Sequence, residues 1–558
     1  MFLLSVRIPG LVYQRLWLST VLPIFEFVLL FLFLLFGVTQ KSVFAQENNL
    51  GKEKVNLMID RSLFIVGEDI QFSAIISNEN NQSKTLYLEL ILPNGSALVS
   101  QKHLITSKQS QGKLRIPKDL ISGNYYLKSY TKYLRNFGPK SFTYLPIQIV
   151  NPTISEFLSG DSSLDPDTLQ NPLTTVQLVN GQNENYSTVQ IDKEIIQNLD
   201  FFSVSIIPAH SFREAKTLSF KESEFKSKYL PETKSLSLSG ILVDSITQKA
   251  LAFKEVTLSI IDQKNFLPIL TNAEGKFHFA LPEITGNHDL FISTKKEESV
   301  QALIFVDIDY DTEPISLPDP EFILTQGERL ATIELAKSFQ IAQAFTEEKV
   351  EHILDTFFIP FYGKAENTLL LDKYISFETL EEYFTELPGI VHIKSSNKQK
   401  HFAISSPLRD MSIYSPLVLM DMVAVEDINR ILAVSPHGLK QVDIIPKPYV
   451  YGNFIYGGII SIRSLHGDFG GISLPKTGLF FNYDFLQPNS QFFDKKDNNR
   501  SPDTRNTLYW SGLHKASTQD LEIEFKLESS KQQNYWLIIQ GLYSTGEMYR
   551  SVQALDVY

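Results

Sequence analysis

The feature that most constrains the fold is a long succession of short segments with strand periodicity, each closed by a turn. In one of them Leu86, Leu88 and Leu90 occupy every second position, and the segment ends at a Pro-Asn-Gly turn. Such alternation places apolar side chains on one face of a strand, while Gly, Pro and Asn supply turn conformations. A chain of 558 residues is also too long for a single core. The sequence therefore predicts a mainly β protein with several domains.

Composition removes several classes of function. The chain has 51 Lys and Arg against 63 Asp and Glu, a formal net charge of −12, which argues against a surface that neutralises phosphates. It contains no cysteine, so disulfides, thiolate metal sites, cysteine nucleophiles and thioester chemistry are excluded together. Aromatic residues make up 12% of the chain, which suits half-buried strand surfaces. Nucleic acid is not a predicted partner.

The N-terminal 45 residues predict export. Arg7 and Arg15 precede an apolar run centred on residues 27–36, and a small residue, Ala45, follows at the predicted cleavage point. The alternative is a retained membrane anchor, since residues 21–38 could nearly span a bilayer core. Pro23 and Glu26 interrupt that stretch and favour a cleaved signal peptide. We expect an exported protein of the periplasm or outer membrane, with peripheral membrane contact or none after cleavage.

Changes in periodicity divide the chain into units. We predict a fold class of tandem β-sandwiches followed by a helical connector, a mixed α/β domain and a C-terminal β segment. A second helix is expected over residues 377–386. The expected apolar stripe of the connector consists of Leu330, Ile333, Ala336, Ile341, Phe345, Val350 and Ile353. The predicted ranges are a signal peptide at 1–45, a first sandwich at 46–151, a second sandwich at 173–231, a small β-domain at 236–310, the helical connector at 326–357, the α/β domain at 361–470, a linker at 484–506 and the C-terminal β segment at 507–558.

Two short motifs of the first sandwich resemble a known domain type. The stretch at residues 59–72, Ile-Asp-Arg-Ser-Leu-Phe-Ile-Val-Gly-Glu-Asp-Ile-Gln-Phe, resembles the opening of macroglobulin-like (MG2-type) β-domains. Ser122-Gly123-Asn124-Tyr125 and Arg135-Asn136-Phe137-Gly138 resemble a later signature of the same group. Macroglobulins that trap proteases covalently use a cysteine thioester, which this chain lacks.

Two further resemblances concern the later units. Residues 236–305 resemble the carboxypeptidase regulatory-like domain, a small sandwich without an active site of its own. Residues 361–464 are similar to the plug domain of TonB-dependent receptors, through Pro416-Leu417-Val418-Leu419-Met420-Asp421 and the Gly457-Gly458 strand. The plug pattern usually has Gly after the aspartate, whereas this chain has Met422, which puts the expected tight turn in doubt. After residue 470 only 88 residues follow, too few for a receptor barrel of about 22 strands.

The sequence contains little catalytic chemistry. Asp307, Asp309 and Asp311 would share one face of a strand, but the remainder of a calcium loop is absent, and we interpret them as a solvated strand end. The ten histidines are scattered without HExxH spacing, and no G-x-S-x-G, P-loop or G-x-G-x-x-G motif occurs. We predict no catalytic residues, no cofactor, no metal site and no enzymatic activity.

Tyr449, Tyr451 and Tyr456 are the candidate partner-binding residues, beside Gly452 and Gly457. Exposed aromatic side chains dominate many protein interfaces. The alternative is that they pack on the plug-like sheet while the glycines supply turn geometry.

Together these features predict a non-catalytic scaffold or accessory protein of the cell envelope. Its partners would be proteins or surface polymers at the outer membrane, for example an envelope protein or a separate barrel. Two alternatives stay open: a plug-bearing component of a TonB-dependent transport system, and a protease inhibitor or enzyme that uses the macroglobulin-like units. We further expect the plug-like unit to pack against the connector helix or the C-terminal strands.

Overall fold

A computed structural model gives the fold, and it confirms a mainly β protein. It describes residues 51–77, 83–158, 160, 174–177, 179–180, 186–214, 218, 220, 224–295, 301–345, 359–373, 377–386, 389–396, 399–405, 413–474, 477–488, 504–515, 519–526 and 534–556. The predicted signal peptide, the end of the predicted connector and most of the predicted linker lie outside these residues. No helix among them is long and apolar enough to cross a membrane.

The first unit is a β-sandwich of two sheets, in the orders β1-β3-β6 and β2-β8-β7-β4-β5. Its core includes Phe64, Phe72, Leu88 and Leu127, none of which is accessible to solvent. Its strands are β1 Lys54–Ile59, β2 Leu63–Ile65, β3 Asp69–Ser77, β4 Thr85–Ile91, β5 Ala97–Leu104, β6 Gln109–Arg115, β7 Gly123–Tyr130 and β8 Thr143–Val150.

The second unit begins with β9 Thr174–Gln177, β10 Val179–Asn180, β11 Tyr186–Ile191, the short helix α1 Lys193–Ile196 and β12 Leu199–Pro208. The third unit follows as β13 Ser237–Asp244, β14 Glu255–Ile260, β15 Asn265–Leu270, β16 Lys276–Ala280, β17 Asn287–Thr294 and β18 Ala302–Val306. The turn at residues 272–275 uses Gly275 at φ +71°, and Asn272 accepts hydrogen bonds from the N–H groups of Glu274 and Lys276. The Asn-Ala-Glu-Gly sequence predicts a hairpin here, but β15 pairs with β14 and β16 pairs with β13. The turn therefore connects strands of two different sheets, and the hairpin prediction was wrong.

The connector helix α2, Gln326–Phe345, packs on the first sandwich through a different face from the predicted stripe. Leu335 is fully buried there together with Ala331. Leu330 is 61% exposed and Ile333 51% exposed, so the stripe assignment was wrong for them, whereas Ala336 of the same stripe packs against the core. The cause is visible at the start of the helix: Arg213 binds Glu328 with two hydrogen bonds of 2.7 Å, which turns the Glu328 side of α2 towards the sandwich.

The mixed α/β unit follows the connector. Its five-stranded sheet has the order β19-β24-β27-β22-β23, in which β22 and β27 run parallel. The predicted second helix begins at Leu380. The elements are β19 Asn367–Leu370, α3 Leu380–Glu386, β20 Val391–Ser396, β21 Gln399–Ile404, β22 Leu417–Met420, β23 Val423–Ala424, α4 Ile428–Leu432, β24 Leu439–Ile445, β25 Tyr449–Tyr451, β26 Phe454–Tyr456 and β27 Ile459–Ser464.

The last strands return to earlier units. They are β28 Leu479–Asp484, β29 Tyr509–Trp510, β30 His514–Lys515, β31 Leu521–Lys526, β32 Tyr535–Tyr543 and β33 Met548–Asp556. Strand β28 pairs with β17 and completes a four-stranded sheet of the third unit. Strands β29, β30 and β32 pair with β12, and β31 pairs with β11. The predicted C-terminal segment thus forms sheets with the second sandwich, a long-range pairing that strand periodicity does not reveal.

Candidate functional site

The three candidate tyrosines lie on one small hairpin. Strands β25 and β26 pair so that Tyr449 stands opposite Tyr456, with ring centroids 6.3 Å apart. Gly452 closes the turn with φ +56°, a conformation that favours glycine. The glycine therefore has the turn role that the sequence suggested.

Each tyrosine is partly buried, and Tyr449 and Tyr456 pack against a cluster that includes Leu417, Leu419 and Ile459 of the α/β sheet. The Tyr449 ring lies 5.1 Å from Phe361, and burial raises its pKa to about 12. Tyr451 packs against the core of the third unit, and the Tyr456 hydroxyl donates to Glu255 Oε1 at 3.3 Å. The tyrosines thus connect the hairpin to the third unit, and their role in partner binding stays a prediction.

A cleft of about 1500 Å³ opens beside this hairpin, between the third unit and the α/β unit. Thr257, Ser293 and Lys295 line one wall, on strands β14 and β17 and directly after β17. Strands β22 and β23, helix α4 and the side chains of Phe454, Ile455 and Tyr456 line the opposite wall. Both walls are mixed in polarity, which suits a protein segment better than a purely apolar ligand.

An apolar junction holds the two walls together. Phe266 from β15 packs among Leu419, Met422 and Ile459 of the α/β unit, and all four are buried. The Ser259 hydroxyl also donates to the Met422 carbonyl at 2.9 Å. We name this contact the apolar junction. The α/β unit therefore packs on the third unit. Within the described part of the chain, neither of its apolar clusters includes the connector helix or the C-terminal strands, contrary to the expectation.

Met422 nevertheless completes a tight turn. Asp421 and Met422 have φ angles of +45° and +70°, which glycine adopts more easily. The Asp421 carboxylate accepts from the Ser464 N–H at 2.8 Å and from the Phe469 N–H at 2.9 Å. Burial of the Met422 side chain in the apolar junction further holds the turn.

The aspartates at 307, 309 and 311 lie beyond the end of β18, and the solvated strand end was a wrong interpretation for two of them. Asp307 is exposed, but Asp309 and Asp311 are 7% and 8% exposed. Asp309 accepts from Lys102 Nζ at 2.8 Å and from Lys132 Nζ at 3.1 Å. The two buried aspartates belong to an internal ionic cluster.

This cluster joins the first and third units, and we call it the charged junction. Four basic residues and one glutamate come from the first sandwich, and three acidic residues come from the third unit and its flanks, so the charges balance. Lys128 pairs with Glu89 at 2.9 Å and with Asp311 at 3.4 Å. The members are Glu89, Lys102, Lys128, Lys132, Arg135, Glu232, Asp309 and Asp311, and all are buried.

The cations determine the protonation of the central carboxylate. Burial would raise the pKa of Asp309, but Lys102 and Lys132 outweigh that effect and lower it to about 2. The Tyr483 hydroxyl donates to the same carboxylate. Arg135 donates to the Asp309 carbonyl at 2.7 Å, and its guanidinium lies 4.1 Å from the centre of the Tyr229 ring. These contacts bind Asp309 internally.

Other titratable groups are paired in the same way. His288 contacts Asp262 through Nδ1 and the Thr285 carbonyl through Nε2, so both ring nitrogens are engaged. Within the described ranges, no group of three or more His, Asp or Glu side chains is arranged to hold a metal ion.

The sequence did not predict the charged junction, because lysine and glutamate are usually exposed. One signal was present: Lys128 shares a strand face with Tyr126 and Tyr130, two positions away on either side, and both tyrosines are buried. Glu89 likewise shares its face with Tyr87 and Ile91. A charge between two apolar neighbours on one strand face therefore indicated a buried ion pair.

Comparison with known proteins finds likeness only among solved structures, since no family model and no curated protein matches. Escherichia coli alpha-2-macroglobulin activated by porcine elastase has 9% identity over 91% of this chain and 44% of that chain, with a TM-score of 0.23. Salmonella alpha-2-macroglobulin reacted with methylamine has 8% identity over 91% and 24%, with a TM-score of 0.15. Yersinia pseudotuberculosis adhesin InvE has 10% identity over 74% and 94%, with a TM-score of 0.12.

The chain spans less than half the length of these alpha-2-macroglobulins. With TM-scores this low, the likeness carries no inference about function.

Proposed function

We propose that this chain is a non-catalytic, exported scaffold of the cell envelope, associated with the outer membrane, that holds a protein partner in the cleft between its third unit and its α/β unit. The observation that carries the proposal is the cleft itself, whose two walls are fixed to each other by the apolar junction. A preformed cleft loses little conformational entropy on binding.

The internal pairing of charges supports a scaffold over an enzyme. Catalytic groups usually have unsatisfied or poised contacts facing a substrate. Here the carboxylates of Asp309 and Asp311 are engaged by lysines of the first sandwich, and the charge cluster fixes the third unit to it. The third unit is thus held on both sides, which suits the presentation of a binding surface.

A site-specific crosslink tests this function. A photoreactive amino acid at Ile455, which is 41% exposed and lines the cleft, should give a discrete adduct with an envelope protein in living cells. The same amino acid at Leu330, 61% exposed on α2, is the matched control and should not give that adduct. Identical adducts at both positions, or adducts only with cytoplasmic proteins, would contradict the proposal.

The identity of the adduct also separates the alternatives. An outer-membrane transport barrel captured at Ile455 would favour the plug-bearing component. A protease captured there would favour an inhibitor.

A further inference from the structure

Each of the two sheets of the third unit has an edge strand on the same side of the sandwich. Strand β18 ends the three-stranded sheet β16-β13-β18, and β28 ends the four-stranded sheet β15-β14-β17-β28. A pocket of about 290 Å³ lies between them, with Val306 and Asp307 on one side and Leu479 and Phe481 on the other. None of its lining residues lines the cleft described above.

The backbone of β18 is available for pairing. The Asp307 N–H donates to the Ser239 carbonyl at 2.8 Å, and the Ser245 N–H donates to the Gln301 carbonyl at 2.7 Å. The backbone N–H and C=O groups of the odd-numbered residues therefore point towards β13. Antiparallel pairing alternates, which directs the N–H and C=O groups of Ile304 and Val306 away from β13. Among the described residues, no strand pairs with that edge.

The side chains around this edge are unusually apolar for a solvent-facing strand. Leu303 and Phe305 are 40% and 50% exposed on β18, and Phe480 is 50% exposed on β28. Proteins normally protect terminal strands with charges, proline or a covering segment. An exposed edge with large apolar residues is the kind of surface to which another strand adds.

The carboxylates that line this pocket favour a positively charged ligand group. Asp307 and Asp484 both line it, and no Lys or Arg of the described ranges lies within ion-pair distance of either carboxylate. Lys102 also lines the pocket, and its charge acts on Asp484 from further away. Among the described residues, the Asp307 carboxylate accepts from a neutral donor, the Ser239 hydroxyl, at 2.7 Å. Lys102 donates to the Asp484 carbonyl at 2.7 Å and to the Asp309 carboxylate, so its charge is already engaged.

We propose that an extended segment of a partner protein, with alternating aliphatic residues and a lysine or arginine, adds to the free edge of β18 and places its basic side chain in this pocket. The aliphatic stem of that side chain packs along Leu479 and Phe481, and its cationic head lies near Asp307 and Asp484. The site is independent of the proposed cleft function.

The test uses the purified full chain and fluorescein-labelled nonapeptides that alternate Thr and Val. One peptide carries a central Lys, and its matched control carries Glu. By fluorescence anisotropy, the Lys peptide should bind about tenfold more tightly than the Glu peptide, because only it complements the carboxylates. On binding, hydrogen exchange at single-amide resolution should slow at Ile304 and Val306, and not on β16.

Two pairs of variants locate the effect. Val306→Pro removes an outward N–H and should abolish binding, whereas Val306→Thr keeps that N–H and should bind. Asp307→Asn should weaken the Lys peptide by about threefold to fivefold, while Glu274→Gln, in an exposed turn of the same unit, should leave its affinity unchanged.

Specific outcomes would overturn the proposal. Binding without protection of Ile304 and Val306, or equal affinity for both peptides, places the peptide elsewhere. If the amides of β18 are protected from hydrogen exchange in the absence of peptide, and this protection increases with protein concentration, the occupant is a second copy of the chain. If Val306→Pro fails to fold, the exchange pattern of the unaltered chain decides alone.

Discussion

The third unit is held on two sides by junctions of opposite character. Towards the first sandwich it uses the charged junction, in which three of its acidic groups meet four buried cations. Towards the α/β unit it uses the apolar junction around Phe266. Buried ion pairs require good geometry to offset desolvation, whereas apolar contacts tolerate small shifts. The charged junction therefore fixes the orientation of the third unit relative to the first sandwich, and the apolar junction contributes stabilising contact with the α/β unit.

The largest expected effect comes from removing the central carboxylate of the charged junction. Asp309→Ala leaves Lys102 and Lys132 buried without their shared partner and should lower the free energy of unfolding by about 3–5 kcal/mol. Denaturant unfolding followed by circular dichroism measures the change. Asp307→Ala, two residues away and exposed, is the control and should change stability by less than about 0.5 kcal/mol. Equal effects would remove the distinction between the two aspartates.

Truncation in the apolar junction should cost less. Phe266→Ala should lower the free energy of unfolding by about 3 kcal/mol, the lower end for a buried phenylalanine, because the unbranched Met422 side chain can fill part of the gap. Phe305→Ala, at a ring that is half exposed, serves as the control in the same denaturation experiment. A loss larger than that of Asp309→Ala would reverse the proposed order of the two junctions.

A pH titration extends the comparison to the contact between the first unit and the C-terminal segment. Asp60 accepts from Thr507 and from the Gln71 N–H, and burial raises its pKa from 3.8 to about 6. A raised carboxyl pKa gives stability that is full below about pH 4 and lost as pH rises through 6. The wild type should lose about 2 kcal/mol more than Asp60→Asn between pH 4 and pH 6.5. Parallel pH profiles of the two proteins would contradict this assignment.

The contribution of the Asp309 carboxyl to stability has the opposite pH dependence. Its pKa is lowered to about 2, so its stabilisation is present above about pH 4 and disappears only as pH falls towards 2.

The smallest expected effect is at the hairpin beside the cleft. Tyr456→Phe removes the hydroxyl that donates to Glu255 and should lower stability by about 0.5–1 kcal/mol while keeping the ring contacts. Tyr449→Phe, whose ring packs on Phe361, is the matched control. A loss above about 2 kcal/mol for Tyr456→Phe would show that this hydroxyl belongs to a larger polar network.

The sequence predicted the mainly β fold and the tight turn at 272–275, because these depend on local periodicity and turn residues. It did not predict that this turn connects two different sheets. It failed where distant segments meet. Nothing local shows that β28 joins β17, or that Asp309 meets Lys102 across 207 positions of sequence. The face of α2 was assigned wrongly because Arg213, far from the helix in sequence, binds Glu328 and selects its orientation.

The candidate site was predicted in part. The glycine of the hairpin turn at Gly452 followed from its neighbours, but the contact between Tyr456 and Glu255 crosses two units. The pocket between β18 and β28 could not be predicted, since it forms only when β28 closes the second sheet.

The central claim is that the charged junction holds the first and third units as one rigid body, and a distance measurement between the two units tests it directly. Because the chain has no cysteine, Ser96→Cys and Glu274→Cys create two unique sites for spin labels, one on each unit. Double electron–electron resonance should give one narrow distance distribution for this pair, and the same pair combined with Asp309→Ala should give a broader one. A broad or multimodal distribution in the protein with its charged junction intact would contradict the claim that this junction fixes the two units.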